Sequence, residues 1–185
     1  MAEAAEPDIE TRPTDPVGRV LHRIAAVVAI FGGLILSAMA VLTTVSVGGR
    51  WLFSEPVRGD FELVAIGTGI GIFAFLPYCQ LMRGNVVVDF VMNRAPVRAR
   101  TIADTVGGLL YLVIATVLTW RLYLGGWDMY EYNELSMTIN FPRWTTFPFA
   151  FFLLCFLVVV IVYTVGRSIA ETRAGRYLGT PAARD

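Results

Sequence analysis

Three ionisable side chains lie inside long apolar stretches of the chain, and the chemistry they could support is the passage of ions. They are Glu62, Asp104 and Arg121. A charged group inside a membrane commonly marks an ion or proton path. Each of the three, however, lies within about two turns of the end of its stretch, where snorkelling or water relieves the charge. With no charge near the centre of a stretch, the sequence argues against a chain that translocates a charged solute alone.

Catalytic, redox and metal-binding motifs are absent from the sequence. A haem-binding bundle needs axial ligands, usually histidines on facing helices, and His22 is the single histidine. Cys79 and Cys155 form no CxxC pair, and we expect both to be small buried apolar residues. No HExxH sequence, phosphate-binding loop or glycine-rich dinucleotide turn is present. The sequence therefore predicts no enzyme, no cofactor and no metal site.

Four long apolar stretches supply the elements that would carry the ionisable residues. A membrane-spanning helix needs about 20 mostly apolar residues, because each adds about 1.5 Å and the hydrocarbon core is about 30 Å thick. The chain is 56% hydrophobic with a mean hydropathy of +0.61, which is too apolar for a soluble domain. The predicted fold class is an all-α integral membrane protein with four transmembrane helices. The predicted spans are residues 24–47, 61–81, 102–124 and 145–165.

The remaining segments are short and differ in composition. Residues 1–18 hold five acids and three prolines, which predicts a disordered cytoplasmic tail. A four-span membrane domain would follow over 19–170, and a second cytoplasmic tail over 171–185. Residues 86–88 and 90–92 are apolar but too few to cross a membrane, so a short interfacial segment is predicted between helices 2 and 3. A net charge of zero argues against a nucleic-acid partner.

The arginine distribution predicts the orientation of the chain. Eleven arginines flank the spans on the side of both termini, and three lie on the opposite side. Short basic flanks stay in the cytoplasm, so both termini are predicted to be cytoplasmic. The connections at 48–60 and 125–144 then lie outside, and the second of them is rich in acidic and aromatic residues. Its tryptophans suit the headgroup level of the membrane.

Several blocks along the chain resemble one known family. They are RWLFSEP at 50–56, GDFEL at 59–63, RGNVVVD at 83–89 with AP at 95–96, and INFPRW at 139–144. In this order, with four spans, they resemble the small membrane subunit of tripartite ATP-independent periplasmic (TRAP) transporters, the DctQ-like family, over roughly residues 20–170. Many members carry a histidine in the block after the second span, where this chain has Asn85 and Val86.

The resemblance implies a three-part assembly in the bacterial inner membrane. A periplasmic binding protein would capture an organic acid, often a carboxylate, and a large multi-span permease would carry it inward on a sodium gradient. The small subunit would pair with the permease and enlarge its stationary scaffold. Its partners would then be the permease, the binding protein and membrane lipids.

Under this resemblance the candidate residues make contacts and do no catalysis. An interfacial polar cluster with the permease would involve Arg50, Asp60 and Glu62. The cytoplasmic connection would be fixed by Arg83 and Asp89; the competing role of Arg83 is to satisfy the orientation rule and contact lipid phosphates. The binding protein would be seated by Asp128, Glu131 and Glu134.

Two other functions remain open from the residues alone. A free-standing small homo-oligomeric transporter would use Glu62 as its coupling acid. A membrane anchor for an enzyme would have no transport role and would copurify with a soluble catalytic chain. A membrane enzyme in its own right is the weakest alternative, because no nucleophile–base pair is visible.

Overall fold

Four long helices build the described part of the protein, as the computed structural model shows. It describes residues 15–54, 57–82, 97–136, 138 and 140–174. The helices are α1 (Pro16–Phe53), α2 (Asp60–Leu81), α3 (Val97–Glu131) and α4 (Phe147–Ala174), and a 3-10 turn, Arg143–Thr146, leads into α4. All four are long and apolar enough to cross a membrane. The prediction of an all-α protein with four spans is therefore confirmed, while the predicted interfacial segment lies outside the described residues.

Two of the helices are far longer than a membrane crossing requires. With 38 and 35 residues, α1 and α3 measure about 57 and 53 Å at 1.5 Å per residue, well beyond a hydrocarbon core of about 30 Å. The start of α1 is favoured by Pro16 in its first turn, because proline has the helical φ and lacks only a surplus N–H. The helix thus begins before residue 19, where the membrane domain was predicted to start.

Small residues let α1 and α2 lie close together. A Cβ added to Gly32 would lie 2.7 Å from the Cβ of Ala74 and 3.0 Å from the carbonyl oxygen of Gly71. Gly67 lies in the same way against the side chain of Met39. In a membrane, such residues allow the backbone-to-backbone approach that drives helix association. Gly71 lies against Leu36 of α1 in the same way, whereas a Cβ on Gly69 would meet nothing within 4 Å.

Glycines of α3 also allow close contact with α4, but there they lie against larger side chains. Gly108 faces Val165 and Gly126 faces Phe147, at opposite ends of the pair. Between them, Ala115 is 1% exposed within an apolar cluster. The α4 members of that cluster are Leu154, Leu157, Ile161 and Val165.

Helices α1 and α2 form one helical hairpin, and α3 and α4 form a second. The two hairpins meet through α2 and α4. The side-chain amide of Gln80 donates a hydrogen bond of 3.0 Å to the Thr164 hydroxyl, and Pro77 is buried within α2. Extensive contacts thus join α1 to α2, α2 to α4 and α4 to α3, and other helix pairs touch less. The helices form an open row with α1 and α3 at its two ends.

Burial within the chain follows from this arrangement. In the apolar stretch of α4, 39% of the residues are buried inside the molecule, against 6% in the apolar stretch of α3. The cysteines do not follow the sequence expectation of burial, because Cys79 is exposed and Cys155 is half-buried. On both helices, other residues form the face that is buried against the neighbouring helices.

Candidate functional site

The candidate site lies at one end of the molecule, where α1 joins α2 and where α3 joins α4. We call this the hairpin end. Asp60 and Glu62 occupy the first turn of α2 there, where the helix dipole favours negative charge. Two positions apart, they point about 200° apart around the axis. One carboxylate therefore reaches α1, and the other reaches the connection between α3 and α4.

Asp60 ties the start of α2 to α1. Its Oδ2 accepts a hydrogen bond from the hydroxyl of Ser46, and Ser46 is only 1% exposed. Its Oδ1 accepts from the backbone N–H of Phe61 at 2.8 Å. Arg50, exposed in the last turn of α1, interacts electrostatically with the same carboxylate. A buried hydroxyl group needs a hydrogen-bond partner. The Asp60 carboxylate supplies that partner to Ser46 at the end of the α1–α2 contact.

Glu62 connects the first hairpin to the second. Its Oε2 accepts a hydrogen bond from the hydroxyl of Ser136, which is 5% exposed. Its Oε1 accepts from the backbone N–H of Thr138 at 3.3 Å. These partners lie more than 70 residues further along the chain, so one side chain links α2 to the α3–α4 connection.

The fold of that connection explains why Ser136 reaches Glu62. Asn133 ends α3 in the left-handed conformation with φ 52°, and the Glu134 N–H bonds to the Met129 carbonyl at 3.2 Å, which is a Schellman cap. The chain then folds back on itself, with Ser136 N–H donating to the Phe141 carbonyl at 2.8 Å. Asparagine tolerates this backbone conformation better than most residues. The connection therefore forms a short antiparallel turn, in which the buried hydroxyl of Ser136 faces α2.

The three acids of the predicted docking surface lie apart from Asp60 and Glu62. Asp128 and Glu131 are in the last turns of α3, and Glu134 follows its end; all three are exposed. The sequence had placed all three in a connection starting at residue 125, whereas α3 continues to Glu131. Carboxylates at a helix C-terminus oppose the helix dipole, each costing about 0.3–1 kcal/mol. Helix stability therefore does not account for this cluster.

Comparison with known families decides the identity of the chain. Residues 39–170 match the family model described as tripartite ATP-independent periplasmic transporters, DctQ component. The chain belongs to the DctQ family. The matched region runs from the middle of α1 into α4 and includes the hairpin end. No curated protein and no solved structure gives a match.

The DctQ family is a family of transporter components and not of enzymes. Both carboxylates use their oxygens as acceptors for groups of the same chain. Within the described part of the chain, no group of three or more His, Cys, Asp or Glu residues could hold a metal ion.

Sequence reasoning missed the partners of the two carboxylates. Ser46 is a small polar residue at the end of an apolar stretch, and Ser136 lies in a connection without a distinguishing motif. A serine at helical spacing on the packed face of α1 is the one signal that could have indicated Ser46. Two further predicted site residues, Arg83 and Asp89, lie outside the described residues, so their role stays a prediction.

Proposed function

We propose that this DctQ-family chain is the small scaffold subunit of a TRAP transporter that imports an organic acid, of the carboxylate class, on a sodium gradient. It would work with a large permease subunit and a periplasmic binding protein in the bacterial inner membrane. The scaffold role is supported by the hydrogen bonds that Asp60 and Glu62 accept from Ser46 and Ser136 of the same chain. A coupling acid must exchange its ligand during transport, whereas these carboxylates hold helices together.

The open row of helices supports a lateral partner in the membrane. Each end helix has extensive contact with one neighbour only, and α3 is the least buried span. In lipid, helices associate through close packing and hydrogen bonds and not through the hydrophobic effect. A large permease could therefore continue the row at α3 or α1 without rearrangement of the four helices.

The orientation proposed from arginine counts gives the hairpin end a periplasmic location, with both termini in the cytoplasm. The exposed acids Asp128, Glu131 and Glu134 would then face the compartment of the binding protein. Their cost at the end of α3 is consistent with a role in contact with a basic surface of that partner. Arg50, also exposed at this end, is proposed to contact the permease.

A tagged pull-down from membranes in mild detergent tests the proposal. We expect a many-span permease in equal amount, identified by mass spectrometry, and cysteine-scanning accessibility that places both termini in the cytoplasm. Isolation of the chain alone as an oligomer would favour the free-standing transporter. Copurification with a soluble catalytic chain and no permease would favour the enzyme anchor.

A further inference from the structure

An apolar groove lies between α3 and α4 at the hairpin end. Its volume is about 350 Å³, and its walls are mainly aromatic. The side chains that define it are Trp127, Tyr130, Trp144, Phe147, Phe151 and Phe152. The groove is open to the membrane, because Trp127 is 57% exposed and Phe152 is 71% exposed.

The walls of the groove are held in place by packing. Gly126 lets α3 approach Phe147 so closely that a Cβ there would lie 2.9 Å from it. Tyr130 meets the edge of Trp144 at 5.3 Å between ring centroids and lies 6.2 Å from Trp127. Edge-to-face aromatic pairs of this kind are favourable. The groove is therefore a formed feature of the fold.

The rim of the groove carries charges of both signs. Glu131 follows the lining residue Tyr130, and Arg143 precedes the lining residue Trp144. The backbone N–H of Arg143 donates to the backbone carbonyl of Glu134 at 3.1 Å, so these two residues lie opposite each other in the connection. Two carboxylates and one guanidinium suit a headgroup with one anion and one cation, and they disfavour a purely anionic headgroup.

From these features we infer that the groove binds a zwitterionic phospholipid with an ammonium headgroup, such as phosphatidylethanolamine. One acyl chain lies along the aromatic walls, the phosphate meets Arg143, and the ammonium meets Glu131 and Glu134. Tryptophan and tyrosine at this position match the boundary between acyl chains and headgroups.

Native mass spectrometry of the full-length protein tests this inference, with the permease retained if it copurifies. The probes are phosphatidylethanolamine and phosphatidylglycerol with identical acyl chains. We expect phosphatidylethanolamine to bind about tenfold more tightly, which corresponds to about 1.4 kcal/mol. Equal binding of both lipids, or preference for phosphatidylglycerol, would overturn the headgroup assignment.

Two pairs of variants separate the groove from the general lipid surface. Trp127→Ala should weaken binding of phosphatidylethanolamine about tenfold, because a large apolar contact is lost. Trp120→Ala removes an equally exposed tryptophan of α3, 61% exposed and outside the groove lining, and should leave binding unchanged. Arg143→Gln should abolish the preference for phospholipid over a neutral diacylglycerol with the same chains, and Arg121→Gln should not.

Folding of each variant is checked by circular dichroism and elution volume. Should Trp127→Ala misfold, Phe152→Ala replaces it, since that side chain is mostly exposed. Equal lipid binding by a groove variant and its control contradicts the inference. So does photo-crosslinking from position 152 to a permease in membranes with no lipid adduct, which would make the groove a protein contact. The lipid-binding results do not bear on whether the chain is a transporter subunit, whereas a crosslink to a permease would support that role while it overturns the lipid inference.

Discussion

The link between Glu62 and the α3–α4 connection makes a quantitative prediction. Ser136→Ala removes the hydroxyl that donates to Oε2 and leaves the Thr138 N–H on Oε1. A hydrogen bond to a charged group contributes about 1.5–3 kcal/mol. Because one donor remains and Glu62 is half-buried, we expect a loss near the lower bound, about 1.5 kcal/mol.

Equilibrium unfolding in mixed detergent micelles, with helicity as the readout, measures this loss. Ser37→Ala is the matched control, because the Ser37 hydroxyl bonds only to the Gly33 carbonyl in its own helix, at 2.9 Å. It should change the free energy of unfolding by less than about 0.5 kcal/mol. The double variant Glu62→Ala with Ser136→Ala should be less destabilised than the sum of the single changes by about 1 kcal/mol.

Uptake by the assembled transporter then distinguishes fastening from coupling. If Glu62 fastens the hairpins, Glu62→Gln and Ser136→Ala should reduce uptake to a similar extent, through the stability of the complex. If Glu62→Gln abolished uptake while Ser136→Ala had no effect on uptake or stability, the fastening argument would be refuted and Glu62 would be the coupling acid.

Two further changes test other parts of the argument. Gly32→Ala should destabilise the protein by about 1–3 kcal/mol, because the new methyl would meet Ala74 at 2.7 Å; Gly48→Ala, with nothing within 4 Å of its Cβ, should be neutral or stabilising in the same unfolding assay. Asp128→Arg should weaken binding of the periplasmic protein and lower uptake without loss of the permease in a pull-down, and unchanged uptake would contradict the docking role of this acid.

The sequence predicted the parts of the fold that depend on local composition. Runs of about 20 apolar residues are sufficient to specify spans, and all four helices occur where the runs are. The helix ends were not predictable in this way. Gly125 and Gly126 suggested a connection, yet α3 passes through them to Glu131. Gly126 lies against Phe147, so contact with α4 outweighs the low helix propensity of glycine.

The site shows the same division between local and long-range information. The position of Asp60 and Glu62 at the start of a span was readable, since Asp60 directly precedes the apolar stretch 61–81 and Glu62 is its second residue. Their partners were not readable, because Ser136 comes 74 positions after Glu62 and no local pattern marks that pairing. The sequence suggested that these acids contact another subunit. The structure shows bonds within the chain, and the contact with a permease stays a prediction.

The distribution of hydrogen bonds indicates which contact in the row of helices is the weakest. Within each hairpin, helices are joined along their length by glycine and alanine contacts. Between hairpins, polar links stand at two levels of the α2–α4 contact: Glu62 with Ser136 at the hairpin end, and Gln80 with Thr164 near the opposite end of α2. Hydrogen bonds between membrane helices contribute about 0.6 kcal/mol on average and at most about 1.7 kcal/mol. The charged acceptor puts the Glu62 link near the upper value, so neither link alone separates the hairpins. Loss of both should weaken the contact between the hairpins without separating them, because the apolar packing of α2 against α4 and the hydrogen bond from the Tyr163 hydroxyl to Asp15 remain.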